Sequence, residues 1–289
     1  MRVALLLPGF IRKIDNLKVI KRFIELNKHH TIDIYSITYE ILGQEYREVK
    51  NESSFLNSQK VDKNIAKKYF KFKKFKIESY DKVNKELDVF VQENIQYIKK
   101  ASPSVWKEWG DRMNCNYDES GALRGQYAQW RGLYNTFRLI KEEYDCVIRS
   151  RYDTGIDHLN LDNYDMDDKT IYFKWKKTKN LHRATPGLTL KDGRQIKIPF
   201  DSLWFGSHEV MNVACQFGSK DVMTKILKDK TYTAVAKQNE VKDIKLSNEA
   251  TLYYWLFHLN NFKEGIIDEK DCPYKLVLVR RRKYPETKK

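Results

Sequence analysis

A strand–helix–strand pattern at the amino-terminal end of the chain limits the fold most strongly. Residues 3–7 form an apolar run with the length of a buried strand, which Pro8 and Gly9 end. Residues 16–26 then show helical apolar spacing, and residues 32–37 alternate as a second strand. Two strands joined by a helix form a βαβ unit, which leads to a parallel sheet. We therefore predict an α/β fold with a central, mostly parallel sheet flanked by helices.

A second buried strand runs directly into charged residues. Residues 146–148 are apolar, and Arg149, Arg151 and Asp153 follow at alternate positions, which would turn their side chains to one side. In an open α/β sheet, ligands bind beyond the carboxyl ends of the strands. Two guanidinium groups and a carboxylate suit a diphosphate carried with a divalent metal ion. A surface salt-bridge cluster is the alternative.

Two further elements support a site at this end of the sheet. The loop after the first strand contains Gly9 and Arg12, whose backbone N–H groups and guanidinium could meet a phosphate. A helix capped by Ser120 leads into the charged strand, and its packing would position the site. Its apolar stripe consists of Leu123, Tyr127, Trp130, Tyr134, Phe137 and Ile140.

The second half of the chain predicts four more elements. Residues 176–197 are basic and polar with Pro and Gly, which favours a mobile loop able to close over a substrate. Residues 201–206 form a strand, after which Ser207 can cap a helix. Asn248 opens another helix with Glu249 in its first turn.

Composition restricts the partners and the compartment. The 289 residues include 54 Lys and Arg against 39 Asp and Glu, a net charge of +15 that favours phosphorylated or polyanionic partners. The lysines are dispersed, which is more typical of a solvated surface than of a nucleic-acid footprint. The four cysteines form no CxxC pair, and the first apolar run is too short to span a membrane. We expect a cytoplasmic protein with buried, reduced cysteines.

Several enzyme classes are disfavoured. The chain contains no Walker P-loop, no GxGxxG after the first strand, no HExxH and no GxSxG. His29 and His30 are adjacent, and we expect them in a surface loop before a strand.

Sugar transfer from a nucleotide diphosphate fits the arginine and carboxylate residues that remain as candidates. Cations must offset charge on the departing diphosphate, and a carboxylate must deprotonate the acceptor hydroxyl.

The order of these segments resembles glycosyltransferases of the GT-A type. The resemblance runs through residues 5–12, 32–35, 144–153 and 201–207, while residues 41–120 add little to it. It is greatest to enzymes of bacterial surface-polysaccharide loci and of large algal DNA viruses that glycosylate their own capsids, which would act in the host-cell cytoplasm. It implies one glycosyltransferase domain over residues 1–289, with residues 1–155 mainly binding the donor and residues 156–289 the acceptor. The implied partners are a nucleotide-sugar donor (UDP-sugar favoured, GDP- or dTDP-sugar open) and an oligosaccharide or glycoprotein acceptor.

The resemblance also assigns roles to donor-binding residues. Gly9 and Arg12 would contact the nucleotide, and Asp153 matches the last acid of the DxD element, which implies Mn²⁺ or Mg²⁺. Arg151 stands where the first acid of that element usually lies, so an arginine could itself supply charge to the diphosphate. Phe205 and Gly206 resemble the loop that faces the donor sugar.

The catalytic base has two candidates. Glu249 resembles the later acidic element that supplies the base in inverting enzymes, and its alternative is an acid favoured by the helix dipole. Asp201 is the second candidate, and its alternative is a turn acid at the start of a strand. The resemblance thus implies a hexosyl- or pentosyltransferase that inverts the sugar.

A non-catalytic nucleic-acid-binding protein is the main alternative function. Residues 68–75 interleave lysine with aromatic residues, and residues 280–282 are three arginines. The same alternation in residues 68–75 also fits an ordinary half-buried strand, which is the interpretation that we prefer. A sugar-nucleotide-binding protein without turnover is a third possibility.

Overall fold

A computed structural model describes most of the chain. The described residues are 1–11, 17–43, 56–61, 64, 71–98, 118–152, 154–175, 188–190, 193–196, 199–230, 234–235, 248–268 and 270–272. The strands are β1 (Arg2–Pro8), β2 (Thr31–Tyr39), β3 (Ile41–Gly43), β4 (Leu56–Lys60), β5 (Lys74–Glu78), β6 (Cys146–Ser150), β7 (Thr170–Trp175), β8 (Leu188–Leu190), β9 (Gln195–Ile196), β10 (Pro199–Gly206), β11 (Ala234–Val235) and β12 (Lys263–Ile266). The α-helices are α1 (Leu17–Leu26), α2 (Tyr80–Asn94), α3 (Glu119–Phe137), α4 (His208–Cys215), α5 (Lys220–Lys228) and α6 (Asn248–Tyr253).

A seven-stranded sheet organises these elements. Its strand order is β12-β7-β10-β6-β1-β2-β5, beside a small β11-β8-β9 sheet and a β3-β4 pair. Every neighbouring pair is parallel except the two that involve β10, so six strands run one way and β10 runs the other. The predicted α/β fold with a mostly parallel sheet flanked by helices is therefore confirmed.

The centre of the sheet contains a reversal of strand order. From β1 the chain passes through α1 to β2 on one side, and later through α3 to β6 on the other side. Leu5 and Leu7 of β1 belong to the core under α1, while Ala4 and Leu6 belong to the core under α3. The reversal makes the gap between the carboxyl ends of β1 and β6 a topological switch point, where ligands bind in open α/β sheets.

Several boundaries differ from the sequence-based prediction. Asp118, rather than Ser120, caps α3, because its Oδ1 accepts a hydrogen bond from the Gly121 N–H at 2.8 Å. Strand β5 begins at Lys74 rather than at residue 68, and residues 65–70 lie outside the described part. Strand β12 was not predicted.

Close packing and burial hold α3 and its surroundings. A 3-10 helix, Gln216–Gly218, lies against α3 so closely that a Cβ on Gly218 would be 1.8 Å from the Trp130 carbonyl oxygen. Cys146 and Cys215 are fully buried, as predicted, and burial raises the pKa of both thiols.

Among the described residues, none of the helices has the length and apolar character that crossing a membrane requires.

Candidate active site

The end of β1 turns sharply at Gly9. Gly9 has a φ of 96°, in the left-handed region that glycine tolerates best, and no atom lies within 4 Å of where its Cβ would be. Its amide N–H donates to the Ile37 carbonyl oxygen at 2.9 Å. The predicted phosphate contact through this N–H is therefore not available, and Gly9 contributes open space at the switch point instead. Arg12 lies outside the described residues.

The two arginines of β6 lie at different depths. Arg149 is inside the strand, opposite Leu6 of β1 and Trp204 of β10, and only 1% of its surface is exposed. Its guanidinium carbon lies 5.7 Å from the ring centroid of Trp130 on α3. Arg151 is the first residue after the strand and is half-buried. The expectation that both arginines stand at the strand mouth thus needs correction, because only Arg151 does, and Asp153 lies outside the described residues.

Tyr152 fixes the path of the chain after β6. Its hydroxyl is 2.5 Å from the Ser36 hydroxyl, which in turn donates to the Leu7 carbonyl oxygen at 2.7 Å. The ring is 1% exposed, and burial raises the pKa of its hydroxyl. These bonds tie the residue beside Arg151 to the ends of β1 and β2.

The antiparallel direction of β10 separates residues that the sequence suggested would lie together. Leu203 is opposite Ser150, whereas Gly206 is opposite Val147, at the beginning of β6. The first residues of β10 therefore reach the carboxyl edge, where the Thr154 hydroxyl donates to the Ser202 carbonyl oxygen at 3.3 Å. The backbone of Asp201 lies at this edge, while its side chain is outside the description.

Phe205 and Gly206 lie away from that edge, within the packed sheet. Phe205 is fully buried and stacks on Tyr172 with ring centroids 5.1 Å apart. A Cβ on Gly206 would be 2.9 Å from the Thr170 carbonyl oxygen, so this glycine allows a close backbone approach. We correct their expected place at a sugar-facing loop, because β10 runs antiparallel to its neighbours and carries them to the opposite edge. Ser207 does cap α4, as predicted, through the N–H of Val210.

Helix α6 brings Glu249 next to α3. The helix begins at Asn248 as predicted, and Glu249 is half-buried in its first turn. The Asn248 side-chain amide donates to Gln129 Oε1 at 3.5 Å. Gln129 lies in the middle of α3, one turn before Gly132, whose Cβ position would be 3.8 Å from Pro8 at the carboxyl end of β1. The first turn of α6, with Glu249, therefore lies on the same side of the sheet as Gly9, Arg151 and the Asp201 backbone.

Gln126 is a residue that the sequence-based site did not include. It lies on α3 one turn before Trp130 and is fully buried, and neither of its side-chain amide atoms has a hydrogen-bond partner in the described part of the chain. An unsatisfied buried polar group costs about 1–3 kcal/mol, so buried amides are normally bonded. A polar ligand within reach of this amide would offset that cost. The signal in the sequence was an amide one turn before Trp130, on a helix whose buried side is mostly apolar.

Part of the segment predicted to be a mobile loop forms strands β8 and β9. Ile196 of β9 is buried in the core under α3. Arg194 places its guanidinium carbon 5.7 Å from the ring centroid of Tyr254, at the start of the π-helix Tyr254–Leu259 that follows α6. The described portion is thus anchored beside α6, which differs from the expectation of a mobile loop.

A cavity of about 620 Å³ lies between α2, α3 and β5. Arg131 of α3 crosses it, bonding Glu78 at 2.8 Å and Glu86 at 2.7 Å. Burial raises the pKa of Glu78, but the hydrogen bond and positive charge of Arg131 outweigh it and hold that pKa below its ordinary value. Because Arg131 pairs with a carboxylate of β5 and one of α2, we interpret this group of charges as a clamp that holds α3.

Potential metal ligands do not gather at the carboxyl edge within the described residues. Among all the described residues, one group of His, Cys, Asp or Glu side chains could share an ion. It consists of His29, His30 and Asp162, and it lies at the opposite edge of the sheet. The predicted contact of a divalent ion with Asp153 therefore stays a prediction.

The segments predicted for nucleic-acid binding give that alternative little support. Phe72 and Phe75 contact each other with ring centroids 4.5 Å apart and pack against the core under α1. These contacts fit the preferred interpretation of a half-buried strand. Residues 280–282 lie outside the described part.

Comparisons with known proteins give a distant likeness to solved structures. No family model matches the chain, and no curated protein matches it. Among solved structures, the apo crystal structure of mouse xyloside xylosyltransferase 1 matches with 11% identity, over 93% of this chain and 86% of that chain, at a TM-score of 0.39. A likeness of this size assigns no function, so the function rests on the site itself.

Proposed function

We propose that this chain is a GT-A-like glycosyltransferase that moves a hexose or pentose from a nucleotide-diphosphate sugar to a glycan hydroxyl. One observation supports the proposal: Gly9, Arg151, the Asp201 backbone and the first turn of α6 with Glu249 lie on the carboxyl side of the sheet, the side on which the switch point between β1 and β6 opens. This is the position at which open α/β sheets bind ligands. The residue types gathered there are those that diphosphate departure and acceptor deprotonation require.

The diphosphate is assigned to the end of β6. Arg151, half-buried just beyond the strand, donates charge-assisted hydrogen bonds to the phosphate oxygens. Arg149 lies behind it against Trp130, and a positive charge in such a buried place acts at longer range than it would in water. Gly9 leaves room for the nucleotide, with Arg12 from the same loop as a further contact. UDP is the favoured nucleotide, with GDP and dTDP as the alternatives.

The described residues at the carboxyl edge form no grouping of metal ligands. Asp153 remains the proposed ligand if Mn²⁺ or Mg²⁺ assists departure, with the arginines supplying the remaining positive charge.

The proposed transfer inverts the sugar. The acceptor hydroxyl attacks the anomeric carbon from the side opposite the diphosphate, and Glu249 takes its proton as the bond to the diphosphate oxygen breaks. Asp201 orients the acceptor. In the alternative assignment, Asp201 is the base and Glu249 orients the acceptor. Gln126 bonds a sugar hydroxyl. The acceptor, an oligosaccharide or glycoprotein, approaches beside α6, where Arg194 lies.

The organisation and location are proposed with the activity. One domain over residues 1–289 holds the donor mainly with residues 1–155 and the acceptor mainly with residues 156–289. We propose action in the cytoplasm, on surface polysaccharide or capsid glycans.

A donor screen tests this function. The protein is incubated with UDP-, GDP- and dTDP-sugars, with Mn²⁺ or with a chelator, and release of nucleoside diphosphate is measured. We expect one nucleotide series to be cleaved, and Asp153→Asn to reduce cleavage if a metal takes part. A chain that neither binds nor cleaves any donor under either condition contradicts the proposal.

A further inference from the structure

We propose that His29, His30 and Asp162 bind a divalent transition-metal ion of the zinc type. Their ligand atoms all lie within 4.8 Å of one another. His29 Nε2 is 2.8 Å from Asp162 Oδ2, and His30 Nε2 is 3.1 Å from Asp162 Oδ1. Two imidazoles and a carboxylate form a ligand set that suits zinc, with water in the fourth position.

The site is separate from the proposed donor site. His30 directly precedes β2, and Thr31 pairs with Arg2 at the beginning of β1. Gly9 follows the other end of β1, which has seven residues. A strand of that length spans about 20 Å. An ion here would therefore not serve the diphosphate.

The burial and orientation of His30 give a second observation in favour of the site. Its side chain is only 6% exposed, which corrects the expectation of a surface-loop residue. Its Nδ1 contacts the main-chain nitrogen of Met1 at 3.3 Å, so Nε2 is the nitrogen turned toward Asp162. Nε2 lies 3.1 Å from Asp162 Oδ1. A buried ring nitrogen held this close to a carboxylate oxygen is placed to share an ion with it.

Asn27 holds the two halves of the site together. It is fully buried, its Oδ1 accepts from the Leu161 N–H at 3.0 Å, and its side-chain amide donates to the Leu159 carbonyl oxygen at 2.8 Å. It thereby ties the turn that carries the histidines to the 3-10 helix Leu161–Asn163 that carries Asp162. Supporting hydrogen bonds of this kind orient ligands before an ion arrives.

The histidine–carboxylate distances are close to those of a zinc site. Zinc bonds nitrogen and oxygen at about 2.0–2.2 Å, which places tetrahedral ligands about 3.3 Å apart. The present separations are 2.8 and 3.1 Å, each to a different oxygen of Asp162, and the three ligand atoms lie within 4.8 Å of one another. Zinc binding would displace the proton of the hydrogen bond between His29 Nε2 and Asp162 Oδ2 and release it to water.

Zinc titration of the full chain, prepared without a histidine tag, tests the site. Calorimetry should give one ion per chain, and Zn²⁺ should raise the unfolding temperature because it binds the folded state. His29→Ala and Asp162→Asn should each weaken binding by about tenfold or more. The exposed His158→Ala is the matched control and should bind as the unmodified chain does.

Cobalt substitution identifies the ligands. Bound Co²⁺ should show visible absorption without a thiolate charge-transfer band, and Asp162→Asn should diminish that absorption. A thiolate band would place the ion on a cysteine and overturn the assignment. Zinc affinities of His29→Ala and Asp162→Asn equal to that of His158→Ala would overturn it as well. Sugar transfer is not used as a readout, so failure here leaves the proposed function standing.

Discussion

Replacing Arg131 with Ala should destabilise the fold by removing the clamp on α3. The Arg131 and Glu78 side chains are 9% and 10% exposed, so the variant leaves a buried carboxylate without its main partner. Breaking a buried pair costs about 3–5 kcal/mol. Lys76 still contacts Glu78 at 3.0 Å, and Glu86 is 43% exposed, so we expect the lower end, about 3 kcal/mol. At about 2 °C per kcal/mol for a chain of this size, the unfolding temperature falls by about 6 °C.

Urea and thermal unfolding measure the loss, with Arg124→Ala as the matched control. Arg124 is on the same helix but pairs with Asp88 at the surface, so its loss should cost at most about 1 kcal/mol. The double variant Glu78→Gln/Arg131→Met removes both buried charges and should recover most of the stability. An Arg131→Ala loss no larger than that of Arg124→Ala, or a double variant as unstable as Arg131→Ala, would refute the reasoning.

The same pair predicts a pH dependence with a definite sign. Because Arg131 lowers the pKa of folded Glu78, ionised Glu78 stabilises the fold above its ordinary pKa. That contribution disappears as the pH falls through the lowered value. The stability difference between the unmodified chain and Arg131→Ala should therefore shrink below about pH 4. A difference that grows on acidification would contradict the assigned charge state.

Three further substitutions test the catalytic roles and the packing of α3. Glu249→Gln should lower the transfer rate by about 10²–10⁴-fold while calorimetric donor binding is retained. Asp201→Asn should mainly raise the acceptor KM, and normal turnover by Glu249→Gln together with an inactive Asp201→Asn would exchange the two roles. Gly218→Ala should cost about 1–3 kcal/mol in urea unfolding, because its Cβ would meet the Trp130 carbonyl oxygen at 1.8 Å. An unchanged urea midpoint would show that the two helices can separate without cost.

Local patterns predicted the centre of the fold well. The apolar run that became β1 is buried on both faces, and burial on both faces is what makes a central parallel strand continuous in hydrophobicity. The helical stripe before β6 also packs as expected, with Leu123, Tyr127 and Trp130 in the core. These features depend on residues near one another in the chain, so their periodicity was sufficient.

The site was only partly predictable, because strand direction and depth depend on distant residues. Gly206 follows a strand in the sequence just as Gly9 does, but the antiparallel direction of β10 sends it to the opposite edge. Arg149 carries a charge that suggested exposure, yet α3 covers it through Trp130. The approach of Asp162 to the two histidines likewise joins positions more than 130 residues apart.

Calorimetric titration of nucleotides into Arg151→Ala tests the central claim most directly, that the switch point between β1 and β6 holds a nucleotide diphosphate. UDP, GDP and dTDP are titrated beside their nucleosides into the unmodified chain, Arg151→Ala and the control Arg124→Ala. We predict that one diphosphate binds, and that Arg151→Ala weakens it by about 1–3 kcal/mol while the matching nucleoside is affected less. Equal losses for diphosphate and nucleoside, or equal affinities of Arg151→Ala and Arg124→Ala for the diphosphate, would contradict the account.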